Sequence, residues 1–281
     1  MNTWAGIEFI PIPEGPFIMG SKTDNEMAWS DEIPQHTFEI PYPYWVARFP
    51  VTNADFREFV QDTGFITHAE KQGWCWVWDV EKMAWGKSEG ASWQHPLGPE
   101  TNINALDDHP VVQVNWYDAR ATCQWLNDRH SAQLPEGYRF RLPTETDWEK
   151  AARGPQERFW PWGNTFDRAL SNCREGGSIC TVPVGTSSPQ ADSPYGVADM
   201  SGNIWEWTTT MWGADKDTPS FVYPYHPADG REDENVGEVV YRIIRGGSYK
   251  DDRKGVRTAV RDLDPPLYAL SNLGFRVFVG P

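Results

Sequence analysis

The stretch from Phe9 to Gly20 places apolar residues on either side of a Pro-Gly turn at Pro13-Glu14-Gly15-Pro16, a pattern for two short strands joined as a hairpin. After an acidic, polar segment over residues 21–35, Thr37-Phe38-Glu39-Ile40 alternates as a strand does. Thr52 or Asn53 caps a helix whose apolar stripe is Phe56, Phe59 and Val60, and Gly64 stops it. A second helix is expected from Trp116 to about Arg129, with Cys123 on its apolar face. A third follows Thr144, a capping residue with Asp147 three positions later. Beyond Arg153 there is almost no helical pattern.

Two segments resist a periodic reading. Residues 73–100 hold Trp74, Trp76, Trp78, Trp85 and Trp93 and are expected to form an ordered aromatic loop. Trp74, Trp76 and Trp78 alternate, so on a strand they would share one face. Exposed, they would be a platform for peptide or sugar; buried, they would close over a core. Residues 211–240 are polar, carry Tyr223, Tyr225 and the run Glu232-Asp233-Glu234, and are expected to be a surface insertion. No internal repeat or low-complexity linker divides the chain, which is expected to be one domain over 1–281.

Composition sharpens the picture. With 16 Trp, 24 Gly and 23 Pro in 281 residues, the chain should be loop-rich, with a core that leans on large rings. A formal net charge of −15 argues against nucleic acid and against an anionic membrane, and favours cationic or neutral ligands. There is no signal-peptide pattern at Met1 and no apolar run near the roughly 18 residues of a membrane span, so a soluble, cytoplasmic protein is expected. Cys75, Cys123, Cys173 and Cys180 lack zinc spacing. Cys173 and Cys180 could pair, but a reducing cytosol favours free thiols.

A series of motifs runs nearly the whole length of the chain: Pro11-Ile12-Pro13-Glu14-Gly15-Pro16-Phe17-Ile18-Met19-Gly20, Pro50-Val51-Thr52-Asn53, Asp108-His109-Pro110-Val111-Val112-Gln113-Val114-Asn115-Trp116, Arg141-Leu142-Pro143-Thr144-Glu145, Pro161-Trp162-Gly163-Asn164, Met200-Ser201-Gly202-Asn203-Ile204-Trp205-Glu206-Trp207, Arg245-Gly246-Gly247-Ser248-Tyr249 and Asn272-Leu273-Gly274-Phe275-Arg276. Together they resemble the formylglycine-generating enzyme (sulfatase-modifying factor) superfamily. The resemblance implies an α+β fold, a variant of the C-type lectin fold with little regular secondary structure and two or three helices packed on short antiparallel sheets.

The loop around Gly202 has hard oxygen ligands that suit calcium: Asp199, Glu206 and the carbonyls of Gly202 and Ile204. The resemblance implies a structural calcium there, with Asp199 standing where Asn is common in the family, and a second calcium is expected around Asn172 and Glu175. In catalytic members, two cysteines shortly after the Gly-Gly-Ser-Tyr strand bind copper and activate dioxygen. Here those positions read Lys250-Asp251-Asp252-Arg253-Lys254-Gly255-Val256, so no thiol is available and copper is not expected. Ser248 matches the family's serine, but with no base or metal beside it, it can only hydrogen-bond.

A sister branch, the sulfoxide synthases, holds iron through histidines of an added helical domain that is absent here. None of the six histidines, His36, His68, His95, His109, His130 and His226, forms HxxxH or HxE; His68, beside Glu70, is the one worth following. A third branch consists of binding proteins, including the variable proteins of diversity-generating retroelements. The C-terminal segment offers Ser248, Tyr249, Asp251, Asp252, Arg253, Arg261, Asp262, Asp264, Tyr268 and Asn272 for recognition, or, for its acids, a solvated face. No Ser-His-acid or paired-carboxylate arrangement supports a hydrolase. The expected function is a binding module without catalytic residues that recognises a protein or peptide through its C-terminal loops. The alternative is a metal- and oxygen-dependent oxidoreductase of the same superfamily.

Overall fold

The computed structural model describes residues 2–281. Strands β1 (Asn2–Trp4) and β2 (Ile7–Ile12) are joined by Ala5-Gly6, both at positive φ, the geometry of a tight hairpin turn. There follow β3 (Gly15–Met19), β4 (His36–Ile40), β5 (Tyr44–Ala47), α1 (Asn53–Thr63), α2 (His68–Gln72), β6 (Trp74–Asp79) and β7 (Ala84–Glu89). The rest comprises α3 (Trp116–His130), β8 (Arg139–Arg141), α4 (Glu145–Arg153), β9 (Trp205–Gly213), β10 (Tyr241–Arg245), β11 (Arg261–Asp264), β12 (Leu273–Gly274) and β13 (Phe278–Gly280). No helix among the described residues is long and apolar enough to cross a membrane.

A five-stranded antiparallel sheet runs β1-β2-β5-β13-β8, and a second sheet runs β11-β10-β9-β12, with β12 parallel to β9. The N-terminal hairpin expected between β2 and β3 does not form. Both edges of β2 are taken by β1 and β5, so β3 pairs with β4 instead, Phe17 opposite Phe38. The five-stranded sheet is buried on both faces. Phe9, Ala47 and Val279 point into a cluster with Phe56 and Phe59 of α1 and Trp116 and Leu126 of α3. Their neighbours Ile10, Val46 and Phe278 face Trp148, Ala151 and Ala152 of α4. This is the α+β, lectin-like arrangement expected: few helices on short, curled sheets.

Helices α1, α3 and α4 start where expected, Thr52, Asn115 and Thr144 each closing a reciprocal capping box with an Asp three residues later; α2, which Thr67 and Glu70 cap, was not expected. Elsewhere the sequence pattern misleads. The tryptophan segment contains a hairpin, β6 against β7, with Trp78 opposite Trp85. The polar segment over 211–240 is not a surface insertion throughout. Strand β9 is buried along its whole length, Tyr223, Tyr225 and Arg231 are buried, and the Glu232 carboxylate accepts from Thr209, Thr210 and the Tyr225 hydroxyl.

The polar residues of α4 are also inside. Every residue of this helix is buried. Glu145 accepts from Arg245 (2.8 Å) and Arg261 (2.6 and 3.0 Å), and Glu149 from Arg245 (2.7 Å). Arg141 donates to Asp147 at 2.8 Å. These carboxylates and guanidiniums neutralise one another in a lattice that locks α4 to β10 and β11 of the second sheet and, through Arg141, to β8 of the first.

Candidate functional site at the C-terminal loops

The chain leaves β10 through Gly246 and Gly247, both at positive φ, and turns back so tightly that a Cβ on Gly247 would lie 2.3 Å from the Gly255 carbonyl oxygen. The returning loop is tied by Asp251. Its Oδ2 accepts from the Ser248 amide (2.9 Å), the Ser248 hydroxyl (2.7 Å) and Trp205 Nε1 (2.9 Å), while Oδ1 takes the Lys250 ammonium at 3.0 Å. Asn272 Nδ2 donates to Ser248 Oγ at 2.8 Å, and the Tyr249 hydroxyl lies against Ser271. Burial pushes the Tyr249 phenol up to about 12.

Above this loop lies a cavity of about 330 Å³. Trp76 and Trp85 of the β6–β7 hairpin, Trp205 and Tyr268 supply its aromatic surface; Lys216, Lys250, Asp262 and Asp264 supply charge, and Asn272 a buried amide. The Lys250 ammonium sits over the rings of Trp78 and Trp85, 5.4 and 5.8 Å from their centroids. Burial, and then the neighbouring Asp262, raise the Asp264 carboxyl well above the usual carboxylate range.

Of the residues singled out from sequence for ligand binding, Asp264, Tyr268 and Asn272 line this cavity. Ser248, Tyr249 and Asp251 lie beneath it, their side chains engaged with each other and with Trp205, Ser271 and Asn272. Asp252 folds onto its own loop, accepting from the Lys254 and Gly255 amides and from Arg174. Arg253 is exposed, its amide bound to Glu175. Arg261 belongs to the α4 ionic lattice, with its guanidinium beside Glu145 and over the Tyr223 ring. Sequence reasoning gave no binding role to Trp85, Trp205, Lys216 or Lys250. The alternation across β6 and β7 was the signal available for Trp85; Lys216, in an irregular polar stretch, had none.

The two glycine-loop carboxylates part company. Glu206 faces Arg276, accepting from its Nη2 at 2.8 Å and its Nε at 3.1 and 3.2 Å, and from Trp148 Nε1 at 2.8 Å. Asp199 accepts from the Gly185 amide at 2.6 Å and borders a cavity of about 20 Å³ with Asn172, Ser201 and Asn203. Asn172 Oδ1 is buried without a hydrogen-bond partner, an oxygen free for a cation. Asn172 and Asp199 therefore fit a small cation in a set that leaves out Glu206. The Gly202 carbonyl accepts from the Ile204 amide, and Glu175 turns to the Arg253 amide and the Cys173 thiol.

All four cysteines are free, and among the described residues no three His, Cys, Asp or Glu side chains gather as a metal cluster. His95 and His109 bond through Nδ1 to the Thr101 carbonyl and the Thr181 hydroxyl, and His36 bridges the Pro34 carbonyl and the Tyr225 amide.

Comparison with known proteins places this architecture. The model of the sulfatase-modifying factor enzyme 1-like domain matches residues 3–280. The formylglycine-generating enzyme of Bos taurus is 31% identical over 301 aligned positions, covering 96% of this chain and 74% of that protein. The bovine inactive C-alpha-formylglycine-generating enzyme 2 is 32% identical, covering 98% and 88%. Among solved structures, PvdO from Pseudomonas aeruginosa superposes with a TM-score of 0.71 at 22% identity, covering 98% of this chain and 95% of that one. From end to end of the described fold, this chain belongs to the sulfatase-modifying factor enzyme 1-like family.

Proposed function

We propose that this chain is a binding module of its family, which recognises a protein or peptide segment in the cavity between the β6–β7 hairpin and the C-terminal loops. The observation that carries the reading is the composition of the cavity wall: aromatic rings, two lysines, two aspartates and an amide, with neither a cysteine nor a histidine. A soft-metal redox centre calls on thiolate or imidazole, and here the residue after Tyr249 is a lysine held by Asp251. Large rings with few, placed polar groups are the usual makeup of a recognition pocket. A relative of similar identity is itself named as inactive, which agrees with a binding role.

The alternative, a metal- and oxygen-dependent oxidoreductase, draws on the equally similar bovine enzyme. One experiment separates them. The purified chain is titrated with a library of capped peptides, and oxygen uptake is followed with copper(I) or iron(II) and thiol peptides. Saturable binding that Tyr268→Ala weakens, without sustained oxygen uptake, supports the module. Thiol-dependent, catalytic oxygen consumption would replace it with the oxidoreductase.

Calcium enters this proposal as a structural ion that Asp199 and Asn172 would hold, joining the 172 loop to the glycine loop. Added calcium is expected to raise the melting temperature, and Asp199→Ala to remove that response. A variant that keeps the full response would place the ion elsewhere.

A further inference from the structure

Within the cavity, two acidic side chains stand without a counter-ion. Asp262 and Asp264 stand two residues apart on β11 and so share a side of the strand. Among the described residues, no lysine or arginine lies within ion-pair distance of either carboxylate. Lys250, on the same wall, is already held by Asp251 and by two tryptophan rings, and Lys216 forms no ion pair. A second, independent feature points the same way. Asn272 is buried, 1% exposed, and lines the cavity; its Nδ2 is spent on Ser248, yet its Oδ1 has no partner. The cavity thus offers a buried amide oxygen that nothing in the protein satisfies, beside two carboxylates without an ion pair, of which Asp262 accepts the Leu263 amide at Oδ1, and the face of an aromatic wall. A buried acceptor without a donor is costly, and a bound ligand would relieve it.

We infer that the cavity takes an organic cation, an ammonium or guanidinium whose N–H groups are shared between Asp262, Asp264 and Asn272 Oδ1 while its alkyl stem lies against Trp76 and Tyr268. The inference rests on reading the cavity as the ligand site and adds the class of ligand. Desolvated, a cation beside carboxylates and aromatic faces gains from both, and the chain's net charge of −15 draws such ligands in. The source is a lysine or arginine side chain of a peptide. Trp76 Nε1, a buried donor without a partner, also lines this cavity and can take up a backbone carbonyl that a free amine lacks.

The test is a titration of tryptophan emission with N-acetyl-lysine methylamide, N-acetyl-arginine methylamide, their norleucine and glutamate counterparts, and free cadaverine. The lysine or arginine probe is expected to bind at least tenfold tighter than norleucine, and Asp262→Asn and Asp264→Asn each to remove most of that margin without moving the melting temperature. Equal or tighter binding of norleucine or glutamate, or margins untouched in both variants, overturns the cation and leaves the binding module standing. Tighter binding of cadaverine than of capped lysine overturns the peptide as its source. A wild-type chain whose emission no probe perturbs, while it captures longer peptides in the library titration, overturns the cation alone; failure in both titrations overturns the module with it.

Discussion

The pair Glu206–Arg276 gives a sharp test of how this fold is held. Both side chains are almost wholly buried, and the guanidinium does more than neutralise the carboxylate: it also donates to the carbonyls of Ala47 (3.0 Å), Arg48 (2.7 Å) and Ala198 (2.9 Å). It therefore fastens β9, the end of β5 and the turn before the glycine loop at one point. Glu206→Gln leaves a buried cation without its counter-charge, a loss of about 3–5 kcal/mol. Arg276→Met removes the same attraction and also strips a donor from three carbonyls, so it should cost at least as much. For a domain of this size, about 2 °C of melting temperature accompanies each kcal/mol, so each variant should melt roughly 6–10 °C below the parent. The double variant Glu206→Gln/Arg276→Met should cost less than the sum of the singles, with a coupling of about 2 kcal/mol or more. Urea unfolding followed by tryptophan emission reads all four proteins. Single losses below about 1 kcal/mol, or strict additivity, would refute a buried, coupled pair.

Asp251→Ala removes a carboxylate that four donors share, two of them on Ser248; the expected cost is about 2–3 kcal/mol, with a red shift in emission as Trp205 loses its partner, and a fully stable variant would free this loop for a surface role. Asp118 caps α3 and the His68 amide from a buried position, and burial pushes its carboxyl up to about 6. Because the folded state then holds a proton that the unfolded chain has released, the benefit is present below about pH 4 and lost as pH rises through 6. Relative to Asp118→Asn, the parent should lose up to about 3 kcal/mol between pH 4 and 7, which parallel urea titrations would detect; a pH-independent difference would show that Asp118 titrates normally.

Local signals gave α1, α3 and α4, because Thr52, Asn115 and Thr144 act through neighbours three residues away; α2, capped in the same way by Thr67 and Glu70, went unread. The motif series gave the fold and pointed to the C-terminal segment. What stayed hidden depends on distant partners. Nothing near Arg261 in the chain says that it meets Glu145, 116 positions earlier, nor that β2 gives its edge to β5 rather than β3. Exposure was inverted for the same reason: charges on α4 and in the 211–240 segment look solvated until their counter-ions arrive from elsewhere. The cavity was half legible, since Asp264, Tyr268 and Asn272 lie in one segment while Trp85 and Lys216 reach it from others.

The middle place of β13 in the five-stranded sheet governs the order in which this protein can assemble. Phe278 pairs with Val46 on one side and Arg141 on the other, so the sheet closes only when a strand 232 positions downstream of β5 (278 − 46) arrives between its neighbours. Contacts that distant make for slow folding, because loop-closure entropy must be met before they reward it. During synthesis β2 and β5 leave the ribosome long before β13, with Ile10 and Val46 on one face and Phe9 and Ala47 on the other still uncovered. Through that interval the half-made sheet presents an open, apolar edge, and the yield of soluble protein depends on how well the cell shields that edge until residues 278–280 appear.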